Sequence, residues 1–236
     1  MSNQNFYRLV KLDKTFLDNN PRIKSDFLNF FCNIWMFDPN FKEYRYCPSC
    51  HRYYSQDEVE NQKILTCKGS SSRHPEVKLE KRWTPEFVEQ ELAPLLSLNE
   101  DFFGSLAISK TDNKVVGFVW GYVISLSEIS KSWSPDIVSK INEETPCTKI
   151  AYFQEIGTDT SLRGYGIGSS LCASLTSWMK YSYPSLPAYL HTHQQSPAFK
   201  LFSKAGYRHF AKSDSVNSGR IIMFAPSCSQ LTPENL

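Results

Sequence analysis

Along the chain the apolar positions change period several times, and each change marks an element. Phe6 to Leu12 alternates apolar and polar residues, the period of a strand with one buried face, whereas Lys24 to Trp35 repeats its apolar residues at helical spacing. From Tyr44 to about Glu80 no long periodicity survives, and the stretch is polar and rich in Cys, His, Ser and Tyr. Thr84-Pro85-Glu86 reads as an N-cap followed by proline at the first helical position, and the helix runs on through Phe87, Val88, Leu92 and Leu95. Strand character returns at Phe102 to Ser109 and at Val115 to Leu126. The turn residues Thr111 to Lys114 between these runs predict an antiparallel hairpin. A loop with a short helix occupies Ser134 to Thr145. A strand at Ile150 to Ile156 then leads to a helix at Ser169 to Tyr181, a strand at Ala188 to His193 and a helix at Pro197 to Lys204. Gly206 suits a helix C-cap, and two short strands near Tyr207 to Ala211 and Arg220 to Phe224 close the order. The pattern is mixed α/β without internal repeats.

Composition bounds this picture without redrawing it. With 236 residues, 41% hydrophobic and 14% aromatic, the chain can bury one sizeable core and carry a small satellite module. No run reaches the roughly 18 to 20 apolar residues that cross a bilayer, and the polar start, Met1 to Asn5, lacks the charged and apolar regions of a signal peptide. A soluble, cytoplasmic protein with no membrane partner is the expectation. The formal charge of +2 comes from scattered Lys and Arg, so no block calls for nucleic acid. Seven cysteines, odd in number and unevenly placed, fit a reduced compartment better than a disulfide framework.

The most informative segment is Arg163-Gly164-Tyr165-Gly166-Ile167-Gly168, between an apolar strand and a helix. A glycine-rich turn that opens a helix gathers backbone N–H groups at the positive end of the helix dipole, which suits a phosphate-bearing ligand. Glycine in an ordinary tight connection is the plainer reading. Two segments favour the ligand. Phe153 to Gly168, with Asp159 in its turn, resembles the acyl-CoA-binding segment of the GNAT N-acetyltransferase superfamily, whose pattern is Q/R-x-x-G-x-G/A. Gln195 to Tyr207 is similar to that family's N-x-x-A-x-x-L-Y-x-K-x-G-F segment, in the expected order and spacing. The likeness covers Phe102 to Phe224 well and the first 43 residues loosely, while Tyr44 to Glu80 has no counterpart in it. The resemblance implies a mainly antiparallel mixed sheet, splayed at the acyl-CoA site and flanked by helices. Residues 1–236 would then form one GNAT-like domain with an insertion at 44–80.

It also implies roles. Arg163, Gly164, Tyr165, Gly166, Ile167, Gly168 and Ser169 would wrap the pyrophosphate of coenzyme A, with the glycines admitting backbone where side chains would clash. Ile156, Gly157 and Thr158 would offer backbone groups to the pantetheine arm and the thioester carbonyl, and Gln195 and Phe202 would complete the donor site. Acetyl transfer to a primary amine, of a small molecule or a protein, would proceed by direct attack. Glu155, a carboxylate within an apolar strand, is the candidate base, or else a structural carboxylate paired with a neighbour. His191 and His193, two apart on one strand and so on one face, are candidate proton relays or hydrogen-bonded strand histidines. The sequence departs from the family at Phe202, where many members place a proton-donating Tyr, and at Gln195, where Asn is usual.

The insertion has separate chemistry. Cys47-Pro48-Ser49-Cys50 is a C-x2-C knuckle; Cys67 and His74 follow, and three thiolates with one imidazole complete a closed tetrahedral zinc site of structural type. His51 is the alternative fourth ligand. Tyr44, Arg45, Tyr46, Arg52, Tyr53 and Tyr54 mix aromatics with positive charge, but Asp57, Glu58, Glu60, Glu76 and Glu80 weigh against nucleic acid. Three readings follow: an acetyl-CoA-dependent N-acetyltransferase with structural zinc, a non-catalytic acyl-CoA sensor, and a zinc-containing interaction module on a GNAT scaffold.

Overall fold

The structure is a computed structural model that describes residues 6–37, 43–50, 52–67, 76–131, 133–213 and 219–236. In chain order the elements are β1 (Tyr7–Lys11), α1 (Lys14–Asn19), α2 (Pro21–Phe37), β2 (Arg45–Tyr46), β3 (Tyr53–Tyr54), α3 (Gln56–Glu60), β4 (Thr66–Cys67), β5 (Val77–Lys78) and α4 (Pro85–Leu96). There follow β6 (Phe102–Ser109), β7 (Val115–Ser125), α5 (Leu126–Ile129), α6 (Pro135–Glu144), β8 (Lys149–Thr158), α7 (Ile167–Ser182), β9 (Ala188–His193), α8 (Pro197–Lys204), β10 (Arg208–Lys212) and β11 (Arg220–Ala225). Two compact units result, Met1–Asn20 with Pro94–Leu236, and Pro21–Ala93.

Among the described residues of the first unit, seven strands form one sheet in the order β1-β6-β7-β8-β9-β11-β10. Every neighbouring pair is antiparallel except β8 with β9. The sheet is covered on both faces because its strands alternate two apolar sets. Val119, Phe153, Leu190 and Met223 point into a core with Ile167, Leu171, Leu175 and Met179 of α7 and Phe202 of α8. Those four α7 residues repeat at intervals of four, so one stripe of the helix faces the sheet. On the other face Ile150, Tyr189, Ile222 and Phe224 pack with Ile137 and Ile141, one turn apart on α6, and with Trp133. Each fully buried Leu, Ile or Phe contributes roughly 1.5–3 kcal/mol.

In the second unit, the stretch without periodicity makes two minimal hairpins, β2 with β3 and β4 with β5. Between them α3 is closed by a capping box: the Ser55 hydroxyl accepts from the Glu58 N–H, and the Glu58 carboxylate accepts from the Ser55 N–H. The core of this stretch is small: Cys47, Tyr54, Val59, Cys67 and Leu79. Thr84 caps α4 through the Phe87 N–H at 3.2 Å, as its sequence predicts. No helix among the described residues is long and apolar enough to cross a membrane.

Candidate active site

The sheet opens where β8 meets β9. The parallel pairing covers Ala151 with Ala188, Tyr152 with Tyr189 and Phe153 with Leu190, and ends there. β8 continues to Thr158 and stays paired with β7 as far as Gly117 opposite Thr158. Ile156, Gly157 and Thr158 therefore lie in the part of β8 beyond the last β9 pair, and their β9-facing backbone groups border the gap. An irregularity sharpens this edge. Trp120 pairs with Glu155 but Gly121 with Phe153, so Gln154 is an extra residue, a β-bulge. It reverses the alternation, and Glu155, three residues after Tyr152, joins Tyr152 on the face of Trp120 and Tyr122. The Gln154 Oε1 atom accepts from Trp120 Nε1 at 3.3 Å.

The glycine turn follows directly. The Asp159 N–H donates to the Val116 carbonyl at 3.0 Å, and the Asp159 carboxylate accepts from Ser161 N–H at 2.8 Å and Ser161 Oγ at 2.7 Å, folding a short turn. Gly164 and Gly166 have φ of +85° and +81°, the left-handed region that favours glycine, and α7 begins at Ile167. Glycine thus has a conformational reason at 164 and 166; a Cβ at either position meets no protein atom within 4 Å, and at Gly168 it meets only ordinary van der Waals neighbours. No side chain caps α7, and its first-turn N–H groups sit at the positive end of a 16-residue helix. Arg163 to Gly166 are exposed. Behind the turn, the Tyr7 hydroxyl lies 2.7 Å from Ser170 Oγ and ties β1 to the first turns of α7.

Polar groups collect beside the gap. His191 is the first β9 residue past the last β8 pair, with its ring stacked on Trp133 (4.8 Å between centroids, 22°) and edge-on to Tyr152. Burial, followed by the Arg220 cation, lowers its pKa from 6.5 to about 4, so the imidazole is neutral near pH 7. Its buried Nε2 has no hydrogen-bond partner among the described residues. Burial also raises the Tyr152 phenol far above its usual range; Tyr122 and Glu155 add to the shift and Arg220 opposes it. Glu155, Arg220, His191 and Tyr152 therefore share one electrostatic neighbourhood. His193 pairs with Arg220 across β9 and β11, and its Nδ1 accepts from the Gln195 N–H at 3.2 Å. Gln195 is exposed. Phe202 is 2% exposed, edge-on to Phe153 at 4.9 Å and 6.0 Å from Tyr207. The nearby Tyr207 hydroxyl donates to Met179 Sδ at 3.3 Å, and burial raises its pKa well above the usual value.

Sequence reasoning missed Tyr152, Gln154, Trp133 and Arg220. Arg220 was the legible one, a charge opening the apolar run Ile221 to Ala225. The bulge has no comparable signature.

In the second unit, Cys47, Cys50 and Cys67 converge with their sulfurs within 4.8 Å of one another, and Cys50 to Cys67 is 3.7 Å. A tetrahedral zinc with Zn–S bonds of about 2.3 Å has sulfur–sulfur edges of about 3.8 Å, so this pair already has the spacing the ion requires. The Cys47 N–H donates to the Arg52 carbonyl at 2.9 Å and closes the knuckle. His74 and the alternative His51 lie outside the described residues.

A mixed, mainly antiparallel sheet whose one parallel pair opens beside a glycine turn and a helix start defines an N-acetyltransferase class of α/β fold. A family model described as the acetyltransferase (GNAT) family matches residues 72–207, more than half of the 236 residues, and the chain belongs to that family, whose members are N-acetyltransferases. Among solved structures, a GNAT-family acetyltransferase from Streptococcus pneumoniae is similar in fold: 13% identity, 96% of this chain and 99% of that one, TM-score 0.50. Two others are a ribosomal-protein-S5-alanine acetyltransferase from Vibrio fischeri (14%, 94% and 93%, 0.46) and a glucosamine-6-phosphate N-acetyltransferase from Arabidopsis thaliana (13%, 89% and 96%, 0.45). No curated protein matches the chain.

Proposed function

We propose that the protein is an acetyl-CoA-dependent N-acetyltransferase that passes an acetyl group to a primary amine, of a small molecule or a protein, by direct attack in a ternary complex. The observation that carries this reading is the opening of β8 from β9 beyond Phe153 and Leu190, immediately before the glycine turn. Donor binding is assigned to Arg163 through Ser169 at the pyrophosphate and to Ile156, Gly157 and Thr158 at the pantetheine arm. Backbone N–H groups at the gap would also meet the oxyanion as the amine attacks. Glu155 takes the proton from the ammonium, directly or through water. The amine nitrogen then bonds to the carbonyl carbon, the C–S bond breaks, and the second proton on nitrogen passes to the departing sulfur, directly or through water, so that the products are the amide and the coenzyme A thiol. A base in this role typically contributes about 10²- to 10⁴-fold. The neutral state of His191 favours a hydrogen-bonding role over that of a cationic acid. Gln195 and Phe202 border the donor site as backbone turn and packed wall.

Residues 1–236 are read as a single GNAT-like domain with a zinc-binding insertion at 44–80. Cys47, Cys50 and Cys67 would hold a structural zinc with His74 or His51 as the fourth ligand; the ion would cross-link a segment whose core is small. A cytoplasmic location accords with an odd number of cysteines, most of them buried. The buried phenyl ring at Phe202 favours a second reading, a non-catalytic acyl-CoA sensor. Thiol release from acetyl-CoA across a panel of amines separates the two: amine-dependent release supports the enzyme, and tight coenzyme binding without release supports the sensor.

A further inference from the structure

Tyr165 is 63% exposed, a large ring at the tip of the turn between two glycines of positive φ. Exposed aromatics on a loop are ordinarily loose, but this one is held. Phe6 meets it edge-on at 5.4 Å and 82°, Phe6 in turn meets Tyr7 at 5.5 Å and 77°, and the Tyr7 hydroxyl is 2.7 Å from Ser170 Oγ on α7. A chain of contacts thus runs from β1 to the first turns of the helix and fixes the ring beside the turn. Among the described residues six large apolar side chains are exposed, Leu9, Phe37, Leu65, Leu98, Tyr165 and Tyr181, and of these only Tyr165 lies in the glycine segment. The space over the glycines on either side of it is open.

An acyl-CoA carries a purine beyond its phosphates, and a purine has a flat π face that gains from stacking on an aromatic ring. We propose that Tyr165 is the platform on which the adenine of the acyl donor stacks. The proposal rests on the reading of this turn as the coenzyme A cradle, and its test separates the two. Calorimetry with coenzyme A and with 4′-phosphopantetheine, which keeps the pantetheine arm and lacks adenosine, is compared for the wild type, Tyr165→Ala and Tyr165→Phe. Tyr165→Ala should weaken coenzyme A by about 5- to 150-fold, the range base–aromatic stacking commands, and leave 4′-phosphopantetheine unchanged. Tyr165→Phe, which keeps the ring, should bind coenzyme A like the wild type. Unchanged coenzyme A affinity in Tyr165→Ala, or equal loss for both ligands, would overturn the stacking role while leaving the cradle standing. A wild type that does not bind coenzyme A would overturn the cradle itself, and the platform with it.

Discussion

His191 shows how much a single side chain can report about its surroundings. Because burial and Arg220 hold its folded pKa at about 4 against an ordinary 6.5, the neutral ring contributes stability that is fully present above about pH 6.5. That stability is lost as pH falls through about 4. Urea unfolding at pH 7, 5.5 and 4 should show a decline in the wild type, part of which is missing in His191→Phe; identical pH slopes in the two proteins would contradict the placement. At the turn, Arg163→Ala and Gly166→Trp should each weaken coenzyme A at least tenfold in calorimetry. The tryptophan adds bulk at a φ of +81° that it adopts only under strain. Wild-type affinity in both variants would remove the turn from donor binding.

At the scale of elements, the bulge at Gln154 and the short β8–β9 pairing decide which side chains meet. Gly121 makes the bulge possible: a Cβ there would lie 2.6 Å from the Tyr152 carbonyl oxygen and 3.1 Å from Leu175 Cδ2. Gly121→Ala should therefore destabilise the protein by about 1–3 kcal/mol, read as a lower urea midpoint; an unchanged midpoint would contradict this close approach. Most elements were legible in the sequence because each has a local signature: α8 in the Ser196-Pro197 start, the β6–β7 hairpin in its turn, β9 in its apolar run. The gap was legible only through family resemblance, because strand pairing is non-local and nothing in Glu155 to Thr158 announces a missing partner. The bulge was not legible at all. Counting by twos along β8 would put Tyr152 and Glu155 on opposite faces, and the inserted Gln154 restores them to one. In the sequence the glycines read as admitting a close ligand; the positive φ of Gly164 and Gly166 is a second, conformational reason for glycine that the sequence does not announce.

At the scale of the whole molecule, a GNAT acetyltransferase fold and a cysteine cluster are encoded in one chain, and each has a separate test. Metal analysis should return about one zinc per chain, reduced in Cys50→Ser, and a fully folded, metal-free protein would contradict the zinc assignment. In the proposed mechanism the opened edge of β8 carries acetyl transfer with Glu155 as base. Steady-state release of coenzyme A thiol from acetyl-CoA, compared between the wild type and Glu155→Gln across a panel of primary amines, tests it most directly. The wild type should release thiol in an amine-dependent way, and Glu155→Gln should turn over about 10²-fold or more slowly with coenzyme binding retained. Release by Glu155→Gln at the wild-type rate, or a wild type that binds acetyl-CoA and releases no thiol with any amine, would contradict it.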